Sequence, residues 1–150
     1  MKRKLLIWTV ILSLILGSVW VYSCSLINVK PTAIQYFHEL YDELEKQGYR
    51  PSFYVTSGKR HPWHNYLLNK YGGAAKKSRH LKGEAIDIIV LDVNKDGAAD
   101  AKDVDIVYKI LDRKIVGNKG GVGTYKNNTL WFDQQMVHFD CRGYRARWHR

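Results

Sequence analysis

Ser78-Arg79-His80-Leu81-Lys82-Gly83-Glu84-Ala85-Ile86-Asp87, answered far downstream by His138-Phe139-Asp140, is the stretch from which the rest of the chain can be read. Two imidazoles and a carboxylate are the donors that suit a catalytic zinc ion, with one coordination position left for water. Alternate side chains of an extended strand share a face, so Ala85, Asp87 and Ile89 are expected on one side and Ile86 and Ile88 on the other. Asp87 then leaves the strand toward a cleft, and His80 folds back to it from a preceding loop. Gly83 gives that turn its freedom, and the small Ala85 leaves room. His138 and Asp140 obey the same period of two, which sets a further imidazole and a second carboxylate side by side.

Around this stretch the chain has material for one domain. Its 150 residues are 45% hydrophobic and 25% charged, an ordinary globular balance. Apolar spacing at Ile34, Phe37, Leu40, Tyr41 and Leu44 predicts a helix over Thr32 to Gln47, stopped by Gly48, with His38 on its surface. Ser52 to Thr56 alternates and reads as a strand, and His61-Pro62 opens a short helix that runs to Tyr71. Ala74 to Lys82 is a polar, basic loop, and Glu84 to Leu91 is the most apolar strand, expected at the centre of a sheet. Val104 to Leu111 reads as a helix and Gly117 to Gly123 as a glycine-rich turn. Val122 to Cys141 reads as hairpin material turning at Asn127-Asn128. The expected class is α+β.

The amino terminus has a different character. Lys2-Arg3-Lys4 is followed by 18 residues, Leu5 to Tyr22, without a charge, which is the pattern of export machinery and lies at the border between a signal core and a membrane anchor. Val21-Tyr22-Ser23-Cys24 resembles a lipoprotein processing box, although Tyr22 fits it poorly. Acylation at Cys24, a retained anchor, and a cleaved, released protein are the three outcomes. The first two leave the basic end in the cytoplasm and tether the folded part in the envelope. Residues 1–24 are thus read as this leader, 25–31 as a linker and 32–150 as the domain. Cys141 is the other cysteine; with Cys24 acylated it is left as an odd thiol and no intramolecular disulfide is expected. An unmodified Cys24 leaves a Cys24–Cys141 bridge open, disfavoured because Cys24 lies beside the membrane. The formal charge is +10, of which Lys2, Arg3 and Lys4 supply three, leaving +7 on the exported part. No nucleic-acid-binding module accompanies that charge. A polyanionic envelope or an anionic lipid surface matches it, as does a plain solvated surface.

At the residues quoted first, the pattern S-x-H-x-x-G-x-A-x-D with a later H-x-D resembles the zinc DD-peptidases of bacterial cell walls, whose fold is shared with lysostaphin and hedgehog domains. The nearest group is the murein endopeptidase and D-Ala-D-Ala carboxypeptidase-like branch. The match runs from about Thr56 to Trp148. The resemblance implies an antiparallel sheet with flanking helices and a zinc cleft, with His80, Asp87 and His138 as the ligands. It also implies a monomer acting on peptidoglycan peptides.

Carboxypeptidases of that family carry a glutamate base three residues before the last histidine. Here the position is Gln135, and an amide cannot act as a base. Asp140 is the substitute that the H-x-D branch suggests, the competing role being a hydrogen bond to a ligand imidazole or to Arg142. Thr56-Ser57-Gly58-Lys59-Arg60-His61-Pro62 resembles the family's S-G-x-R-x-P segment, with Lys59 where an aromatic residue is usual. That match gives Arg60 a catalytic and substrate-binding role, holding an oxyanion or a peptide carboxylate. Asn65 is read as structural. Ser78 is read as a substrate contact, and Gly121-Val122-Gly123-Thr124-Tyr125 resembles a strand lining the cleft, so Gly123 and Tyr125 join the substrate-binding set.

Asp92 to Asp103 resembles the calcium loop of a dockerin-type half EF-hand. Oxygen donors stand at positions 1, 3, 5, 9 and 12 (Asp92, Asn94, Asp96, Asp100 and Asp103), glycine at 6, and the Ala98 carbonyl at 7. A structural Ca2+ is expected there, the alternative being an acidic surface turn. A single such loop does not imply cohesin binding.

The resulting first reading is a membrane-tethered zinc peptidase of peptidoglycan stems or cross-links. It leans toward an endopeptidase over a DD-carboxypeptidase. A zinc-containing module that binds cell-wall peptides without cutting them is the alternative, and a calcium-dependent adhesion protein is a third.

Overall fold

The computed structural model describes residues 2–23, 25–126 and 135–150. Cys24 and the expected Asn127-Asn128 turn lie outside the described residues. The elements run α1 (Lys2–Ser23), α2 (Pro31–Lys46), β1 (Phe53–Ser57), α3 (Pro62–Tyr71), a 3-10 turn (Arg79–Lys82), β2 (Ala85–Val90), α4 (Ala101–Ile110), a π-helical turn (Leu111–Val116), β3 (Gly121–Tyr125), β4 (Met136–Asp140) and β5 (Ala146–His149). The expected α+β class holds.

The described strands form one sheet in the order β1-β2-β4-β3-β5. The pairs β1–β2, β2–β4 and β3–β4 are antiparallel. β5 is the departure from the expected all-antiparallel sheet, since it adds to the edge parallel to β3. Four residues, Ala-Arg-Trp-His, carry little strand signal of their own, and β5 forms because the open edge of β3 offers it a ladder.

One face of the sheet is apolar. Ile86, Ile88 and Val90 of β2, Val122 of β3 and Val137 and Phe139 of β4 are buried against Ala33, Tyr36, Leu40 and Leu44 of α2 and Val104, Val107 and Ile110 of α4. The alternation expected for residues 85–90 is therefore what divides core from cleft. The other face carries Asp87, His138 and Asp140.

Three boundaries differ from expectation in an instructive way. Residues 25–30 are no loose linker: Val29 is buried, and the Lys30 amide donates to the Gly83 carbonyl at 2.7 Å. Gly83 has φ +66°, and a Cβ there would meet the Asn28 carbonyl oxygen at 2.4 Å, so only glycine serves both the turn and this crossing. The stretch before β2 is not all loop, since Ser78 caps a 3-10 turn by accepting from the His80 amide. α4 starts three residues earlier than the apolar pattern predicts, because Asp100 and Asp103 form a capping box at its first turn.

α1 runs 22 residues with Leu5, Leu6, Ile7 and Trp8 exposed. Among the described residues, no helix is long and apolar enough to cross a membrane.

Candidate active site

The strand register builds the site. Ser57 of β1 pairs with Asp87, Asp87 with His138, His138 with Gly123, and Gly123 with Trp148. These five residues form one row across the sheet. His80 joins the row from the 3-10 turn, to which Gly83 and Ser78 fix it. One ligand atom from each of His80, Asp87 and His138 lies within 4.8 Å of the other two, and all three residues are buried. Among the described residues, this group of side chains could hold a metal ion.

Hydrogen bonds set which ring nitrogens face inward. His80 Nδ1 lies 2.7 Å from the Gly58 carbonyl oxygen, an acceptor, so Nδ1 carries the proton and Nε2 presents a lone pair. Burial lowers the His80 pKa, more than Asp87 raises it, and the ring is neutral. Its Nε2 nonetheless lies 3.0 Å from Asp87 Oδ2 and 3.3 Å from His138 Nδ1. A bare imidazole nitrogen and a carboxylate oxygen at that distance repel each other unless a proton or a metal ion is shared between them.

His138 is oriented from its far edge. Its Nδ1 is 2.7 Å from Asp87 Oδ1 and its Nε2 is 3.0 Å from Asp140 Oδ2. Burial works against its charge, but Asp87 and Asp140 outweigh it and raise the pKa to about 9. Burial raises Asp87, and the facing His80 and His138 more than reverse this, holding its carboxyl well below the usual range.

Asp140 is fully buried. Its Oδ1 accepts from the amides of Gly121 and Arg142 and from Arg142 Nε, and its Oδ2 from His138 Nε2 and Arg142 Nη2. Burial raises its pKa, and His138 and Arg142 pull it far below the ordinary carboxylate value. Each oxygen is committed to donors on the side of His138 away from His80 and Asp87.

Arg60 is buried beside Asp87. Its Nη2 donates to Ser57 Oγ at 2.8 Å and Asp87 Oδ2 at 3.2 Å, and its Nη1 to Asn65 Oδ1 at 3.3 Å. Its Nε is buried without a hydrogen-bond partner among the described residues. Asn65 in turn bonds the carbonyls of Ala75 and Lys76, so it braces the loop beside the cleft. Gln135 points elsewhere: its side-chain amide donates to the Ala99 carbonyl, toward the acidic loop.

The remaining residues singled out from sequence fall around this centre. Ser78 Oγ is occupied in capping the 3-10 turn that carries His80. Gly123 lies under the Trp148 ring, and Tyr125 Oη accepts from Trp148 Nε1 at 3.0 Å. The Gly58 carbonyl and Trp148 were not singled out. No periodicity marks them, because each reaches the site through a contact distant in sequence. Arg142, weighed from sequence as a partner of Asp140, is found bonded to it.

In the acidic loop, the carboxylates act first on the backbone. Asp103 Oδ1 accepts from the Val93 and Asn94 amides and its Oδ2 from the Asp100 amide. Asp96 Oδ1 accepts from the Ala98 amide and Asp100 Oδ1 from that of Lys102. Lys102 also lies 3.6 Å from Asp96 and 3.7 Å from Asp100. Asp92 Oδ1 is buried without a hydrogen-bond partner among the described residues.

A protein-family model described as peptidoglycan L,D-endopeptidase MepK matches residues 27–148. A search of curated proteins gives no match. Among solved structures, the L-Ala D-Glu endopeptidase ChiX of Serratia marcescens is similar at 18% identity, covering 77% of this chain and 82% of that one with a TM-score of 0.48. The family match takes in all of β1 to β4, β5 up to Trp148, and every residue of the His–Asp–His cluster. The chain belongs to the peptidoglycan L,D-endopeptidase MepK family and is a peptidoglycan-hydrolysing metallopeptidase.

Proposed function

We propose that this chain is a zinc-dependent endopeptidase that cuts peptidoglycan peptides at a bond between an L- and a D-configured residue. The observation that carries the zinc reading is the approach of the proton-free His80 Nε2 to Asp87 Oδ2 at 3.0 Å. Two imidazole nitrogens and a carboxylate oxygen are a donor set that fits zinc with a position to spare. His80, Asp87 and His138 would hold the ion. When bound, zinc supplies a Lewis acid that brings a water molecule toward neutral pKa and polarises the scissile carbonyl.

The protein's own groups do the rest. The Gly58 carbonyl keeps His80 in the tautomer whose Nε2 faces the cluster. Asp140 holds His138 with Nδ1 inward. We assign Asp140 this orienting role in place of the general base, because both its oxygens are already taken by donors. Arg60 brings a fixed positive charge beside Asp87, suited to a developing oxyanion or a peptide carboxylate. Ser78, Gly123 and Tyr125 line the approach, acting through the turn and the indole that they support.

Two finer features belong to the same proposal. Ca2+ in loop 92–103 is supported by the spacing of Asp92, Asn94, Asp96, Ala98, Asp100 and Asp103 and by the orphaned, buried Asp92 Oδ1. Tethering in the cell envelope, through Cys24 or through α1, is supported by the exposed apolar residues of α1 and by a substrate class found outside the cytoplasm.

The test is digestion of purified muropeptides by the full chain with zinc and with chelator, read by mass spectrometry. Zinc-dependent products cut at an L,D bond are expected. Sacculus binding without release of products, with zinc supplied, would favour the non-catalytic module instead.

A further inference from the structure

We propose that Trp148 is a positioning residue for the metal-facing imidazole of His138, and that Gly123 exists to let it reach. The inference rests on the metal reading above. Among the described residues β5, which carries Trp148, pairs with β3 alone, and β3 separates it from β4 and His138. An indole on β5 can touch a side chain on β4 only if the residue between them has none. Gly123 pairs with both, His138 on one side and Trp148 on the other. A Cβ on Gly123 would fall 2.0 Å from Trp148 Cε2 and 2.2 Å from its Nε1. The ring therefore lies across the glycine, and its centroid is 5.1 Å from that of His138 with 48° between the planes.

The indole is itself held on two further sides. Its Nε1 donates to Tyr125 Oη at 3.0 Å, and the Arg142 guanidinium lies 5.3 Å from its centroid. Arg142 also grips Asp140. One unit thus supports His138: Asp140 at the ring edge, Trp148 tilted against the ring, and Arg142 tying the two together.

The two supports do different work. A hydrogen bond at Nε2 fixes the far edge of the imidazole but leaves the plane free to rock about that bond. Packing by a rigid aromatic surface removes the rocking. Nδ1 then points at a fixed spot between His80 and Asp87, which is what a ligand to a preorganised ion needs.

Zinc affinity by chelator competition and the visible spectrum of the Co2+-loaded full chain test this, with metal-free unfolding followed by circular dichroism. Trp148→Ala is expected to weaken zinc binding about tenfold to a hundredfold and to alter the Co2+ bands. Gly123→Ala should do the same, since it evicts the ring, while Trp148→Phe keeps a flat surface and should stay within about threefold of wild type. Trp148→Ala with wild-type affinity and an unchanged Co2+ spectrum overturns this inference alone. A wild type that takes up neither ion overturns the metal reading and this inference with it. If Trp148→Ala does not fold, the other two variants decide: weak binding in Gly123→Ala beside near-normal binding in Trp148→Phe supports the role. Normal binding in Gly123→Ala overturns it.

Discussion

The Nε2 of His138 lies 3.0 Å from Oδ2 of Asp140, on the ring edge opposite the nitrogen that faces Asp87. A carboxylate in that position orients an imidazole and strengthens its donor nitrogen. Asp140→Asn is therefore expected to weaken zinc affinity about tenfold to a hundredfold, with muropeptide hydrolysis largely regained in excess zinc. Chelator competition and rates at saturating zinc check this. Unchanged affinity together with hydrolysis that excess zinc cannot restore would return Asp140 to the role of base.

Arg60 meets Ser57, Asn65 and Asp87 with the two ends of its fork. Lysine keeps the charge and loses that geometry. Arg60→Lys is expected to lower kcat/KM about a hundredfold, in the range of a lost oxyanion donor, while the metal content of the protein stays near that of wild type. Kinetics within threefold of wild type would remove Arg60 from the reaction.

Gly58 lies where the segment before α2 crosses the start of the cleft. A Cβ there would sit 2.0 Å from the Ser25 carbonyl oxygen and 2.9 Å from Val29 Cγ2. Gly58→Ala must push that segment away and disturb the carbonyl that holds His80. Urea unfolding of the metal-free protein should show a loss of about 1–3 kcal/mol, accompanied by weaker zinc binding. An unchanged midpoint would mean that residues 25–30 do not pack as described.

Asp112 ties β5 to the π-helical turn through Arg145 at 2.6 Å and Arg147 at 2.6 Å. Burial raises its pKa, but hydrogen bonds from Arg145 and Arg147 outweigh this and set it below the ordinary 3.8. With the folded value depressed, the stabilisation is complete above the unfolded value and fades as pH falls through the folded one. Asp112→Asn should cost about 1–2 kcal/mol at pH 7, and the gap to wild type should shrink below about pH 4. Thermal unfolding across pH measures this. A gap that persists at low pH would show that the charge is not what Asp112 contributes.

Asp87 and His138 were legible because a strand has period two and the spacing S-x-H-x-x-G-x-A-x-D carries its own geometry. The same alternation divided Ile86 and Ile88 from Asp87, and so located both the core and the cleft. β5 and Trp148 were not legible, since a four-residue strand without apolar alternation takes its shape from the edge of β3 and not from its own pattern. Nor was the hold of Gly58 on His80, which depends on a contact 22 residues apart in sequence. Asp103 shows how one motif carries two readings. A position-12 ligand in a calcium loop and an N3 residue in a capping box both call for a side-chain oxygen acceptor at the start of α4.

Zinc-edge X-ray absorption on the full chain, loaded with one equivalent of Zn2+, tests the central claim most directly. The account predicts one tightly held ion with two imidazole nitrogens and a carboxylate oxygen at about 2.0–2.2 Å, and loss of that signal in Asp87→Ala. An ion without imidazole scattering, or the same spectrum in Asp87→Ala, would contradict it.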